Sequence, residues 1–200
     1  MVFLVTKYGN PVLRKKGAHI EKFNPELQTL ITHMYETMYD AHGIGLAAQQ
    51  VGQALQLAII DLRGLKDRPS TLEINGLPMD VEDFMPLTLI NPQIKPLNEP
   101  VSGPEGCLSF PEMYADITRP ESIDVVAMNE RGEPLHFKCG GLLSRAIQHE
   151  YDHLQGILFI DRMSRTDKIE LQEELDLLQE TTKSQLESRK NKRHDSSRIN

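Results

Sequence analysis

The hydrophobic residues near the start of the chain follow a helical period. Between Asn24 and about Ala41, apolar side chains recur mostly three or four positions apart, which predicts an amphipathic helix. These side chains are Leu27, Leu30, Ile31, Met34 and Met38. Asn24 can accept a hydrogen bond from the first helical turn, and Pro25 suits the first helical position. We therefore expect a helix that begins at Pro25 and packs one face on a core.

Two further segments have helical spacing. Residues 142–153 place His149 and His153 on one partly apolar face, and Gly156 is positioned to end that helix. Between Arg165 and about Lys190, leucines lie on one face among many charged residues. They are Leu171, Leu175 and Leu178. This spacing predicts an amphipathic C-terminal helix.

The residues between these helices have the short patterns of strands. We predict strands at residues 55–60, 87–92 and 122–128, the last in a hairpin with residues 134–138. Residues 93–97 could continue the second of these strands as an edge segment. Residues 61–88 break every periodicity with glycine and proline, so we assign them no regular element and no chemistry. Strands that cluster before a single buried helix predict an α+β fold. In this fold, antiparallel or mixed sheets pack around the central helix that carries His149 and His153.

The composition is ordinary for a globular protein. The chain has 200 residues, of which 39% are hydrophobic and 26% charged, which suits one compact domain with an appendage. The formal net charge of -7 argues against extensive binding to DNA. The N-terminal apolar run is too short for a signal peptide, and no stretch approaches the roughly 20 apolar residues of a membrane span. We therefore expect a cytoplasmic protein that binds neither membrane nor DNA.

The pentapeptide His149-Glu150-Tyr151-Asp152-His153 is an HExxH motif. On a helix, its two histidines share a face and can reach one ion, while Glu150 leans toward the open position of that ion. A divalent metal held by three protein groups keeps a place for water and lowers the pKa of that water. Two hydrogen-bonded core histidines without a metal would have the same spacing, so the motif alone leaves both interpretations open.

A cysteine offers the third ligand that the motif lacks. Cys107 lies in the short run from Glu105 to Ser109 and is one of only two cysteines in the chain. Its partner in a disulfide could only be Cys139. Two cysteines in a chain of this size, one of them beside a metal motif, fit a reducing compartment better than a disulfide.

The segment Gly43-Ile44-Gly45 precedes the first predicted strand. Its glycines would let the main chain of a ligand come close. The segment is not a dinucleotide-binding fingerprint, because no strand precedes it and the third glycine is missing, and it is not a phosphate-binding loop. Without other motifs, a tight linker between helix and strand remains the alternative.

Three segments together resemble peptide deformylases. Residues 43–50 (GIGLAAQQ) are similar to the family motif GxGLAAxQ, residues 105–109 (EGCLS) to the motif EGCLS, and residues 148–153 (QHEYDH) to the motif QHExDH. The three motifs occur in the order that the family has. The resemblance extends from residue 10 to about residue 162 and does not include residues 61–88 or 166–200.

The resemblance implies a metal-dependent hydrolase that removes the formyl group from the N-terminal formyl-methionine of newly made proteins and releases formate. It implies that Cys107, His149 and His153 bind one divalent metal ion. Iron(II) is expected, and zinc or nickel could occupy the site. Glu150 would take a proton from the attacking water and later hand it to the leaving amine.

The resemblance also implies how the substrate is held. The side-chain amide of Gln50 and the backbone N–H of Leu108 would donate to the oxyanion of the tetrahedral intermediate. The extended peptide would lie along Gly43, Ile44 and Gly45 as an added strand, read main chain to main chain. Such binding depends little on the later side chains of the peptide.

Other residues are expected to shape and support this site. The methionine side chain needs an apolar pocket, for which the candidates are Ile44, Leu142 and Ala146 as walls and Arg145 at the opening. Glu105 and Arg119 are expected to form an ion pair that supports the cysteine loop. Two unrelated surface charges are the alternative for this pair.

Two other functions are compatible with parts of the sequence. An HExxH endopeptidase would need a third ligand such as Glu173, because Phe159 stands where a metzincin has its third histidine. That function leaves the cysteine run unexplained. A non-catalytic protein with a structural metal would need neither Glu150 nor Gln50.

The two ends of the chain differ in character. We expect a catalytic domain over residues 1–165 and an appendage over residues 166–200, which comprises the C-terminal helix and a basic, disordered tail around residues 189–194. In some members of the resembled family a C-terminal helix docks on the ribosome. We therefore predict weak, salt-sensitive ribosome contact here, in a bacterial-type cytoplasmic enzyme whose partners are nascent formyl-methionyl polypeptides.

Overall fold

The computed structural model describes residues 1–65 and 67–196, with side chains described as far as Arg189. Its architecture is α+β, as the sequence predicted. The α-helices are α1 (Pro25–Asp40), α2 (Gly141–Leu154), α3 (Arg165–Glu170) and α4 (Gln172–Ser196). The strands are β1 (Gly45–Ala47), β2 (Leu57–Ile60), β3 (Ser70–Ile74), β4 (Leu77–Pro78), β5 (Leu87–Pro96), β6 (Pro100–Cys107), β7 (Phe110–Pro120), β8 (Ser122–Met128) and β9 (Pro134–Gly140).

Helix α1 forms where the helical period predicted it. The side chain of Asn24 accepts a hydrogen bond from the backbone N–H of Leu27, and Pro25 occupies the first position. Its apolar face packs against β1 and β2 through a cluster that includes Met34, Met38 and Ile59. This cluster forms one half of the hydrophobic core.

Seven strands form a sheet with the order β1-β2-β5-β8-β9-β3-β4. Every pairing in this sheet is antiparallel. The predicted hairpin is formed by β8 and β9, with Val125 opposite Phe137. Both side chains are buried against α2, so the sheet face that carries them forms the second half of the core.

One prediction about the strands was wrong. Residues 61–88 contain β3 and β4, and β3 joins the sheet through its pairing with β9. Local pattern does not predict β3, because its main partner, β9, is far away in the chain and its other partner, β4, has only two residues. Strand β5 continues past Pro92 to Pro96, in agreement with the continuation expected over residues 93–97, and a register shift between Ile90 and Gln93 accommodates the missing N–H of proline.

A separate two-stranded sheet is formed by β6 and β7. Local pattern does not predict these two strands, because glycine, proline and charged residues hide their alternation. The hairpin closes with Cys107 opposite Phe110, so residues 108 and 109 form a tight turn. The predicted metal ligand Cys107 therefore lies at the end of a rigid strand.

Helix α2 is the central helix. It packs against β1, β2, β3 and β9, and nearly all of its residues are buried. Leu142, Leu143 and Ile147 face the large sheet. The helix ends before Gly156, whose φ of 74° lies in the left-handed region that terminates helices. This end agrees with the prediction.

The C-terminal helix is divided. Leu171 separates α3 from α4, and α4 continues to Ser196, beyond the predicted end near Lys190. Neither glycine nor proline interrupts residues 172–196, which accounts for the longer helix. Side chains of the basic tail beyond Arg189 lie outside the described residues. Within the part of the chain that the structure describes, no helix is long and apolar enough to cross a membrane.

Candidate metal centre

The structure brings the three predicted ligands together. His149 and His153 lie one helical turn apart on α2, and Cys107 approaches them from the end of β6. One ligand atom from each side chain can be chosen so that all three lie within 4.8 Å of one another. Among the described residues, this is the one such cluster of histidine, cysteine and acidic side chains. Glu173, the ligand that an endopeptidase would need, is exposed on α4 and outside the cluster.

The donor set fits a catalytic transition-metal ion. The distance from Cys107 Sγ to His153 Nε2 is 3.3 Å. Two ligands of a tetrahedral ion with ordinary metal–sulfur and metal–nitrogen bonds would lie roughly 3.6 Å apart, so little movement is required. A thiolate and two imidazoles leave one tetrahedral position for water.

The two imidazoles have different environments. His149 Nδ1 lies 3.0 Å from Glu105 Oε2, which leaves Nε2 for a metal. Burial opposes the charge of His149, but hydrogen bonds with Cys107 and Glu105 raise its pKa well above the usual value. A bound metal would displace that proton. Burial lowers the pKa of His153 well below the usual value, so this imidazole is neutral, as a ligand must be.

Glu150 is a buried carboxylate without a protein partner for one of its oxygens. Its Oε2 atom accepts no hydrogen bond within the described residues. Burial raises the pKa of Glu150 to about 7. Its other oxygen lies close to Gly45, where an added Cβ would be only 2.5 Å away. A carboxyl group with this pKa can accept and return a proton near neutral pH.

Gln50 points its side-chain amide into the same space. Its Oε1 atom accepts a hydrogen bond of 2.8 Å from the backbone N–H of Ala47, which orients the amide. Its Nε2 atom lies 3.6 Å from Cys107 Sγ and 3.3 Å from Ser109 Oγ. The amide donor is therefore held beside the ligand cluster. Leu108 follows Cys107 directly and lines the same cavity.

A buried network of charges supports the ligands. Glu105 and Arg119 form a two-pronged ion pair with distances of 2.6 and 2.9 Å, as the sequence predicted. Arg119 also reaches Asp152 at 2.8 Å, and Arg162 bonds the same carboxylate at 2.7 Å. The network therefore continues from the predicted ligand His149 through Glu105 and Arg119 to Asp152. Asp152 lies within the HExxH motif, yet the sequence analysis gave it no role.

Arg145 was expected to border the opening of the pocket, and its charged end is directed elsewhere. Its Nη1 atom donates to Glu105 at 2.8 Å and to the Ile117 carbonyl at 2.7 Å. Its Nη2 atom donates to the Val101 carbonyl at 3.0 Å. The Glu105 carboxylate and the carbonyl oxygens of the hairpin accept hydrogen bonds from the guanidinium and so direct it inward. Arg145 therefore joins α2 to the hairpin, although its side chain also lines the cavity.

A cavity of about 470 Å³ opens beside the ligand cluster. It is lined by all of the predicted substrate-binding residues, which are Gly43, Ile44, Gly45, Leu142, Arg145 and Ala146. Other residues that line the cavity are not predicted by the sequence, among them Lys7, Arg68 and Met113. These lie outside the motifs, and no local pattern marks them.

The second cysteine lies outside the ligand cluster and does not line the cavity. Cys139 is buried on β9, and both cysteines are free thiols. Burial raises the pKa of Cys139 to about 12, which disfavours the thiolate form that binds metals and acts as a nucleophile. The disulfide that the sequence left open is not formed.

Comparisons with known proteins give a consistent result. The sequence model of the polypeptide deformylase family matches residues 2–169. The peptide deformylase of Methylacidiphilum infernorum is 48% identical over 176 residues, which cover 88% of this chain and 92% of that protein. A peptide deformylase from Synechococcus elongatus, solved with actinonin, superimposes with a TM-score of 0.72 at 40% identity, over 86% of this chain and 85% of that one. A peptide deformylase from Legionella pneumophila superimposes with a TM-score of 0.75 at 33% identity, over 90% and 97%.

Proposed function

This chain belongs to the peptide deformylase family, whose function is the metal-dependent removal of the N-formyl group from nascent peptides, and we propose which of its residues perform that reaction. The single observation that carries the proposal is the arrangement of Cys107, His149 and His153 beside the unpartnered carboxylate of Glu150. A structural metal site would need no buried base of this kind.

The three ligands would hold one divalent metal. When bound, this metal supplies the Lewis acidity that makes water a nucleophile near neutral pH. We propose iron(II) as the native ion, with zinc or nickel able to replace it, because thiolate and imidazole ligands suit all three. Metal analysis of protein purified without oxygen tests this choice. A preparation that is active and contains little iron would contradict it.

Glu150 carries the proton in the proposed reaction. Its carboxylate receives a proton from the attacking water and gives it to the amine that leaves as the C–N bond breaks. A pKa of about 7 suits both steps, because the group is neither a very weak acid nor a very weak base. Among the described residues Oε2 has no hydrogen-bond partner, which leaves this atom available to the water.

Two donors are proposed to stabilise the oxyanion. The Nε2 group of Gln50 is held beside Cys107 by the bond from Ala47, and the Leu108 N–H follows the ligand in the chain. Preorganised donors of this kind act most strongly where the negative charge develops, and the loss of one costs about 10²–10³-fold in rate. Gln50→Ala should reduce kcat by that order.

The free edge of β1 is the proposed binding surface for the peptide. Strand β1 lies at one end of the sheet, so within the described part of the chain it is paired along one edge, with β2. An extended peptide could add along residues 43–45 by main-chain hydrogen bonds. Ile44, Leu142 and Ala146 line the adjacent cavity and offer apolar contact to the methionine side chain.

We propose that residues 1–165 form the catalytic unit and that residues 166–200 contact the ribosome weakly through their basic end. Deletion of the whole segment would be a poor test, because Leu175 is buried against Phe110 and Phe159. Glutamine should instead replace the basic residues near the end, which are Arg189, Lys190, Lys192 and Arg193. This change should abolish cosedimentation with ribosomes at low salt, while the same change at the exposed Lys16 and Lys22 should not. Equal cosedimentation of both variants would contradict the proposal.

We propose the cytoplasm as the site of action. Newly made formylated chains are present there, and a reducing compartment keeps Cys107 available as a thiolate ligand. Fractionation of cells that produce the protein should find formate-releasing activity in the cytoplasmic fraction. Activity confined to another fraction would contradict this.

One assay tests the central proposal. The metal-loaded protein should release formate from formyl-methionyl peptides, and Glu150→Ala should retain the metal but keep only a small residual turnover. Cleavage of an internal peptide bond without formate release would instead indicate an endopeptidase. Loss of the metal in Glu150→Ala would show that this carboxylate supports the site and does not act in the reaction.

A further inference from the structure

Lys7 contacts the active-site turn although it lies outside every motif. It is partly buried at the wall of the cavity, and its Nζ atom donates a hydrogen bond of 2.7 Å to the Leu108 carbonyl. Leu108 and Ser109 form the turn between β6 and β7, directly after Cys107. The lysine therefore holds this turn from outside the hairpin.

The neighbours of Lys7 bind the same region. The backbone N–H of Thr6 donates to the Gln50 carbonyl at 2.7 Å, and that of Tyr8 donates to the Ser109 carbonyl at 3.0 Å. Residues 6–8 thus contact both segments that carry the proposed oxyanion donors. These two segments are far apart in the chain, so residues 6–8 fix their relative position.

The backbone on which Lys7 stands is itself well anchored. The ring of Tyr8 stacks on Phe110 with centroids 4.9 Å apart, and Phe110 packs edge to face on Phe159. At Gly9 an added Cβ would lie 2.7 Å from the Gln179 carbonyl of α4, so helix and turn are in close contact. The ammonium group of Lys7 therefore extends from a well-anchored backbone toward the Leu108 carbonyl.

We propose that Lys7 is a positioning residue for deformylation, because it holds the Leu108 carbonyl and thereby fixes the turn whose N–H stabilises the oxyanion. The carbonyl and the N–H of Leu108 belong to two peptide planes joined at one Cα atom, so restraint of one plane limits the other. A bond from an ammonium group is stronger than a neutral one, which suits this purpose. The inference rests on the role proposed above for Leu108.

The test compares Lys7→Met with Lys16→Met, in which an exposed lysine is changed in the same way. For Lys7→Met we expect kcat for formate release to fall about tenfold, with KM unchanged. This reduction is smaller than that for loss of an oxyanion donor, which is about 10²–10³-fold. Lys7→Arg, which keeps a charged donor, should recover most of kcat. Lys16→Met should match the wild type.

The other outcomes would overturn the proposal. A raised KM with normal kcat would mean that Lys7 contacts the substrate directly, and a normal kcat in Lys7→Met would mean that the bond is dispensable. A parallel loss of bound metal or of unfolding midpoint would mean that Lys7 only supports the fold. If the wild-type protein releases no formate, the proposed function itself is refuted together with the role of Lys7. The outcomes above, in which the wild type is active, refute only the role of Lys7.

Discussion

Gly45 and Glu150 offer a sharp test of how the base is placed. A Cβ at Gly45 would lie 2.5 Å from Glu150 Oε1 and 3.0 Å from its Cδ atom, far inside ordinary contact. The variant Gly45→Ala therefore perturbs Glu150 without touching it chemically. Gly45 does not have a positive φ, so alanine fits the backbone itself.

The structure indicates which group must move and how far. Gly45 is paired with Ile60 in the sheet, so the strand cannot retreat without breaking that pairing. Ordinary carbon contacts begin near 3.5 Å, which requires the carboxylate to move by about 1 Å. A displacement of this size typically costs about 10²-fold in rate, or about 2.7 kcal/mol in the barrier.

The assay is a double-mutant cycle on kcat for formate release. Gly45→Ala should lower kcat about 10²-fold while the bound metal and the unfolding midpoint stay near wild type. In a Glu150→Ala background the same change should cost almost nothing, because the group that it displaces is gone. Gly45 also lies on the proposed peptide-binding strand, so KM is measured separately to detect an effect on substrate binding.

Two results would refute this reasoning. If Gly45→Ala keeps kcat within about threefold of wild type, the carboxylate tolerates the displacement and its position is not critical. If the change lowers the residual rate of Glu150→Ala by the same factor as in the wild type, its effect does not pass through Glu150.

Three further predictions concern stability and reactivity. Arg119→Met should lower the free energy of unfolding in urea by about 3 kcal/mol, because it removes the shared partner of buried Glu105 and Asp152. Arg162→Met, at a side chain that is 45% exposed, should lower it by about 1 kcal/mol. Equal losses in the two variants would contradict the role of burial. Burial opposes the charge of Glu105, but hydrogen bonds from its histidine and arginine neighbours lower its pKa to about 2. The stability that Glu105 contributes should therefore be complete above about pH 4.5 and be lost as the pH falls toward 2. The free energy of unfolding should depend less on pH in Glu105→Gln over this range, and an unchanged dependence would contradict this prediction. Burial raises the pKa of Cys139 to about 12, so a fraction on the order of 10⁻⁴ of this thiol is ionised near pH 8. Peptide mapping should therefore find Cys139 alkylated by iodoacetamide only after the protein unfolds. Rapid alkylation of the native protein would show instead that the thiol is accessible.

Short motifs allowed much of the site to be predicted. His149 and His153 had to share a helix face, since their spacing is one turn, and the same period predicted α1 with its Asn24 cap. Local spacing of this kind carries information because a helix repeats its geometry within a few residues. The resemblance to a family then associated Cys107 with those histidines across a gap that no local period spans.

Other features depended on pairing between distant residues. Strand β3 and the β6–β7 hairpin are poor strands by local pattern and exist because partners complete their hydrogen bonds. The direction of Arg145 followed from carbonyl and carboxylate acceptors on another element, which its position on α2 does not reveal.

By itself, therefore, the sequence determined the helices, the HExxH motif, the candidate cysteine and, through three motifs, the family. Only the tertiary structure decided that Glu150 lies unpartnered against Gly45, that Arg119 joins Glu105 to Asp152, and that Lys7 reaches Leu108. The physical reason is that burial and hydrogen-bond partners are properties of packing between segments far apart in the chain. No periodicity within one segment encodes them.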